Sequence, residues 1–221
     1  MSKRRGAKKP LSKKTQALLD QLKRKRGIRD LQKRFLIVCE DGKSAPNYFE
    51  ALKKHYNLSA TSVRIAGSGG STQPIQVVTK AVEVKKAEAA ETGGVPFSQV
   101  WCVIDGDYGH KIGNARAKAA ANQVELAIST KCFEYWVLLH FEENDSSTMD
   151  CSALVSSLRG RHIPDYEKGK CEFHEIVTKV DDAVARAEKL RSPGIKRGDP
   201  PEKQNPCSEV YKLINAIKTG G

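Results

Sequence analysis

Several large classes of protein are excluded by what this chain does not have. Its apolar runs never reach eighteen residues, so a membrane-spanning helix is not expected. The N-terminus is basic without an apolar stretch behind it, so a secretory signal is not expected either. Six cysteines are present, yet no two form a Cys-x-x-Cys pair, and the five histidines show no ligand spacing. A zinc site is therefore not expected. The thiols read as small hydrophobes in a reduced compartment, and the expected location is cytoplasmic. The glycine-rich stretch Gly67-Ser-Gly-Gly-Ser-Thr72 lacks a following Gly-Lys-Ser/Thr, which rules out a Walker A loop. It is either a phosphate cradle before a helix or a plain connection. No internal repeat is visible.

Positive charge is concentrated in one place. Residues 1–34 hold fourteen of the 38 Lys/Arg and two of the 26 Asp/Glu, so the remaining residues carry 24 of each sign. The whole excess of +12 lies in the first 34 residues. Residues 1–10 cannot bury anything and read as disordered. From Ser12 to about Lys25 a basic helix fits the spacing of Leu18, Leu19 and Leu22. Such an arm suits nucleic acid phosphates, RNA or DNA, or it is a solvated tail or partner-docking arm. If about five of its cations touch phosphates, the log–log salt slope of binding is roughly −4.

What the rest contains is a strand–helix alternation. Phe35-Leu-Ile-Val-Cys-Glu40 is an apolar run ending in an acid, and Val100-Trp-Cys-Val-Ile104 is a second one, followed by Asp105-Gly-Asp107. Unbroken apolar runs suit central strands of a parallel sheet covered on both faces. Further strands are expected over 61–65 and 124–128. Helices are expected from Pro46, with Ser44 as the N-cap candidate, over 74–90, over 114–122, and over 132–141 as a buried segment. Beyond Asp145 the strand pattern stops. Helical pieces are expected over 151–159, 173–190 and 207–218, with an exposed loop over 192–206. The fold class is α/β: a core of about four mainly parallel strands over 35–145, flanked by helices. A helical C-terminal appendage over 146–221 belongs to the same domain, and a disordered basic arm precedes it.

Ligands of such sheets bind beyond the carboxyl ends of the strands, where Glu40, Asp105 and Asp107 stand. Residues i and i+2 of an extended segment face one side, so Asp105 and Asp107 point together. Two unit charges about 4 Å apart repel by roughly 4 kcal/mol at an effective dielectric of 20, so such a cluster calls for a divalent cation or a proton. Mg²⁺ takes oxygen ligands and is commonly shared between carboxylates and substrate phosphates. The bland reading is that Asp and Gly are turn formers at strand ends, with Asp41 a turn residue. Tyr135, Trp136 and Phe141 read as core.

These stretches resemble the RloB family, whose core is a Toprim-type domain. The resemblance is carried by Phe35-Leu-Ile-Val-Cys-Glu-Asp-Gly-Lys-Ser-Ala-Pro-Asn-Tyr-Phe49, Val103-Ile-Asp-Gly-Asp107, Ile128-Ser-Thr-Lys-Cys-Phe-Glu-Tyr-Trp-Val-Leu-Leu-His-Phe141, Tyr166-Glu-Lys-Gly169 and Asn205-Pro-Cys-Ser208. It implies a Toprim-like (Rossmannoid) fold, with Glu40 as general acid/base and Asp105 and Asp107, with Glu40, holding Mg²⁺ or Mn²⁺. It also implies a nuclease of prokaryotic anti-phage defence, often beside an ATPase partner. Glu134 is carried over as an additional acid, against a buried structural glutamate paired with a basic residue. Lys168 is carried over as a phosphate-binding group, against a loop ion pair. Asn205–Ser208 reads as a cap before the last helix. The chain departs from the pattern at Ser44-Ala45, where the family has Thr-Glu, at Asp41-Gly42, and at Thr130-Lys131.

Two functions from different classes follow. One is a Mg²⁺-dependent endonuclease cutting RNA or DNA. The other is a non-catalytic module with a degenerate metal site, binding nucleic acid or docking on an ATPase. A phosphatase using Asp105 as nucleophile is disfavoured by Tyr108-Gly109 and the late position of the acids.

Overall fold

A computed structural model describes residues 33–40, 42–59, 63–69, 73–91, 96–108 and 111–220. The expectations for the basic arm up to residue 32, for Asp41 and for Gly70–Thr72 lie outside the described residues. The sheet has five strands: β1 (Phe35–Cys39), β2 (Val63–Gly67), β3 (Gln99–Asp105), β4 (Glu125–Thr130) and β5 (Cys207–Ser208). Their order is β2-β1-β3-β4-β5. The first four are parallel and β5 runs antiparallel to β4.

Side-chain alternation along the strands splits the interior into two cores. Phe35, Ile37 and Cys39 of β1 and Trp101 and Val103 of β3 face one core, where they join helices α1 (Ser44–His55), α4 (Phe133–Leu138), α6 (Val180–Arg197) and α7 (Val210–Lys218). Leu36, Val38, Cys102 and Ile104 face the other, under α2 (Pro74–Glu91) and α3 (Lys111–Ala121). Every residue of β1 is buried, so full burial of each Leu, Ile, Val or Phe contributes roughly 1.5–3 kcal/mol. That two-sided demand explains why the run shows no polar alternation. No helix of the described residues is long and apolar enough to cross a membrane.

The C-terminal third departs from expectation in three places. β5 is a strand that the sequence did not announce. Its two residues pair Cys207 with Thr130 and Ser208 with Ser129, and a cis Asn205–Pro206 peptide precedes it. Cys207 and Ser208 therefore extend the sheet, and the N-cap of the last helix is Glu209, outside the Asn205–Ser208 stretch. Helix α6 continues through Pro193 to Arg197, well into the stretch read as a loop. It stops at Gly198, a left-handed C-terminal glycine (φ 74°). Arg191 holds this turn by donating to the Asp199 carbonyl at 2.7 Å and to Gln204 Oε1 at 2.8 Å. The piece expected over 151–159 is α5 (Cys151–Ser157) followed by a π turn (Leu158–His162).

The cysteines also require a correction. Cys132 and Cys151 are joined by a disulfide, with their Cα atoms 5.9 Å apart. Read one at a time along the chain, they gave no such signal, because the fold and not the spacing brings α4 and α5 together.

Candidate active site

The end of β1 is fixed from both sides before its side chain does anything. Glu40 N–H donates to the Val103 carbonyl at 3.0 Å, and the Glu40 carbonyl accepts from Ser68 Oγ at 2.8 Å. So β3 and the residue following β2 clamp the main chain of this acid. The half-buried Glu40 carboxylate then reaches across to β3. Its Oε2 accepts the Asp105 main-chain N–H at 3.1 Å, and its Oε1 accepts the Tyr108 hydroxyl. Asp105 Oδ1 in turn accepts Phe133 N–H at 3.0 Å, which gives an amide of the first turn of α4 a partner.

Asp107 is exposed, one residue into the short 3-10 turn Gly106–Tyr108. The Tyr108 hydroxyl registers all three acids. Burial raises its pKa first, and the hydrogen bond to Glu40 and the charges of Glu40, Asp107 and Asp105 raise it further. Thus Glu40 is tied to Asp105 and Tyr108 at the carboxyl ends of β1 and β3, and Asp107, read from the sequence as part of an extended segment, sits in the 3-10 turn beyond it. Gly106 makes the turn possible, since a Cβ there would stand 2.9 Å from Thr130 Cα.

A second polar group lies beside the first. Glu134, in the first turn of α4, is only 1% exposed. Its Oε1 accepts the hydroxyls of Ser44 at 3.1 Å and Tyr166 at 3.3 Å, and its Oε2 pairs with Lys168 Nζ at 2.9 Å. Ser44 was expected to cap α1, but the N-cap position is Lys43 and the Ser44 hydroxyl goes to Glu134. Asn47 Nδ2 donates to the Gly169 carbonyl at 3.0 Å. Gly169 is left-handed (φ 80°), and a Cβ on it would stand 2.6 Å from Lys43 Cβ. The 166–169 stretch therefore docks on the turn that follows β1. Ala45, where the resemblance expects an acid, is buried at 2%.

The structure ties Glu40 to the Asp105 main-chain N–H, leaves Asp107 exposed in the following turn, and brings Glu134 to Lys168. Sequence reasoning missed the partners: Tyr108 as the hydroxyl on Glu40, and Ser44 and Tyr166 as the hydroxyls on Glu134. The only available signal was their nearness in sequence to the acids and to Lys168. Tyr135 and Trp136 are buried as expected, whereas Phe141 is half-buried and stacks on His162.

The implied Mg²⁺ can be tested against these residues. Among the described residues, no group of three or more His, Cys, Asp or Glu side chains is arranged to hold a metal ion. Mg²⁺, however, is commonly held by one or two carboxylates together with waters and substrate phosphates. Asp105, the last residue of β3, and Asp107, in the turn that follows it, supply hard oxygen donors of that kind. The donor chemistry fits, with Asp105 and Asp107 as the holding pair.

An α/β protein with acids gathered beyond the carboxyl ends of a mostly parallel sheet is the class these features define. The RloB-like protein family matches residues 35–217, and the chain belongs to that family. The five stretches quoted above lie within that span. No curated protein and no solved structure matches the chain.

Proposed function

We propose that this protein is a Mg²⁺-dependent nuclease that cleaves a phosphodiester bond of RNA or DNA, in a prokaryotic defence system. The observation that carries the reading is the link from Glu40 to Asp105 N–H and to the Tyr108 hydroxyl at the carboxyl ends of β1 and β3, with the exposed Asp107 between those two residues in the chain. Asp105 and Asp107 would hold the cation. Bound there, it supplies charge neutralisation at the phosphate and a more acidic water. Glu40 takes and returns the proton, and its carboxylate is the one held by Asp105 N–H and the Tyr108 hydroxyl. Phe133 N–H orients Asp105. Glu134, at 1% exposure, acts by anchoring Ser44, Tyr166 and Lys168 around the turn after β1. The basic arm recruits the polyanion.

The test is incubation of total RNA and plasmid DNA with the protein, with and without Mg²⁺. Cleavage is expected only with Mg²⁺, and is lost in Glu40→Gln and Asp105→Asn. Undiminished cleavage by both variants would overturn the site assignment. The arm makes its own contribution: removing residues 1–32 should lower the magnitude of the salt slope of nucleic acid binding by roughly 4.

One observation favours a second reading, a binding module that docks on nucleic acid or on an ATPase without cutting. It is the absence, among the described residues, of an assembled three-ligand group. Calorimetry separates the two: no heat of Mg²⁺ binding, with nucleic acid binding intact, selects the module.

A further inference from the structure

Cys132 sits at the N-cap of α4, immediately before the Phe133 amide that holds Asp105. Its own carbonyl accepts the Ser129 hydroxyl at 3.1 Å and Tyr135 N–H at 3.0 Å. The disulfide to Cys151 thus ties the first residue of α5 to the turn that supports the acid cluster. A Cα separation of 5.9 Å lies within the range a disulfide requires. The two sulphurs differ in access. Cys132 is fully buried, whereas Cys151 lines a cavity of about 500 Å³ together with Ser152, Arg159, Glu167 and Lys168.

We propose that the Cys132–Cys151 bond is a reversible redox modification site, opened by a small thiol reductant entering the cavity at Cys151, and that opening it loosens the turn holding Asp105. The exchange balances as follows. A reductant thiolate attacks Cys151 Sγ, the protein S–S bond breaks, and Cys132 leaves as a thiolate that takes a proton from water. A second reductant thiolate attacks the reductant sulphur of the mixed disulfide, releasing the Cys151 thiolate and the oxidised reductant. Two reductant thiols are oxidised and the protein disulfide is reduced. A small-molecule disulfide drives the reverse.

Two observations favour this bond as the reactive place. Arg159 and Lys168 line the cavity and favour the approach of an anionic reductant thiolate to Cys151, against the opposing charge of Glu167. Elsewhere, burial pushes the thiols of Cys102 and Cys207 up to about 12, and burial and then the Glu172 charge push Cys171 up to about 11. Those three stay protonated at neutral pH and exchange slowly. A lone bridge beside an acid cluster, among cysteines otherwise spent on the core, also differs from a disulfide-stapled scaffold.

The test treats the full chain with oxidised glutathione or with dithiothreitol, alkylates it in urea, and compares intact masses. The oxidised sample should carry two fewer alkyl groups. That difference should vanish in Cys151→Ser and persist in Cys171→Ser. On the folded protein, exchange of the Phe133 amide hydrogen should be about tenfold faster after reduction. Equal alkylation in both samples, or a persisting glutathione adduct with no internal bond, would overturn the proposal. Unchanged exchange at Phe133 would overturn the coupling. Neither readout uses cleavage, so this test stands apart from that of the proposed function.

Discussion

Glu40 and Glu134 each open a polar group at the same end of the sheet, and the two differ in burial: Glu134 is enclosed, whereas Glu40 is half-buried. Glu134 is 1% exposed, with Lys168 on one oxygen and the hydroxyls of Ser44 and Tyr166 on the other. A buried carboxylate persists only when its charge is paired and its lone pairs are occupied, and here both needs are met from within. Glu40 is half-buried and takes a main-chain amide and a tyrosine hydroxyl, with Asp105 and the exposed Asp107 close by. The first arrangement is complete as it stands. The second lies at a more accessible strand end, with Asp107 exposed, and its oxygens are of the kind the proposed cation would use.

The largest effect should separate the two groups by activity. Glu40→Gln and Asp105→Asn should each lower Mg²⁺-dependent cleavage by about 10²–10⁴-fold, with little change in Tm. Glu134→Gln should show its loss in the melting curve. Loss of cleavage in Glu134→Gln at unchanged Tm would break the comparison.

Next in size is an acid dependence on the interior side of α4. Burial pushes His140 down to about 4, with its ring nitrogens on the Trp136 carbonyl and the Tyr48 hydroxyl at 3.0 Å each. Its folded pKa lies below the unfolded value, so the unfolded chain binds the extra proton. Stability is full above about pH 6.5 and falls as pH drops towards about 4, by about 3 kcal/mol in all. Urea unfolding across that range should show the slope, and His140→Gln should flatten it.

Lys168→Met should cost about 2 kcal/mol in urea unfolding, because it strands the buried Glu134 charge. That figure is set below the usual cost for a fully buried pair because Lys168 is itself 44% exposed. Adding Glu134→Gln should recover part of the loss, and full additivity of the two substitutions would show that the pair does not interact. The smallest effect belongs to Gly106→Ala. Crowding the Thr130 backbone should cost about 1 kcal/mol and weaken Mg²⁺ binding a few-fold, as measured by calorimetry.

Much of this was legible in the residues because burial on two faces leaves an unmistakable mark. The runs of β1 and β3, and the acids that end them, could be found by eye. β5 could not, because two residues are too few to carry a strand pattern, and only their pairing with Ser129 and Thr130 makes them one. The extension of α6 past Pro193 was hidden because proline usually ends a helix, although Gly198 marked the true stop. The Ser44 hydroxyl looked like a cap because capping is local. Its actual partner is 90 residues away. The Cys132–Cys151 bond was hidden for the same reason, being a product of how α4 and α5 pack.

The contrast between the two acid groups is tested most directly by Mg²⁺ titration in a calorimeter on the unmodified protein, Asp105→Asn and Glu134→Gln. The account predicts that the unmodified protein and Glu134→Gln bind with similar affinity, and that Asp105→Asn binds at least about tenfold more weakly. Equal binding by Asp105→Asn, or loss of binding in Glu134→Gln alone, would contradict it.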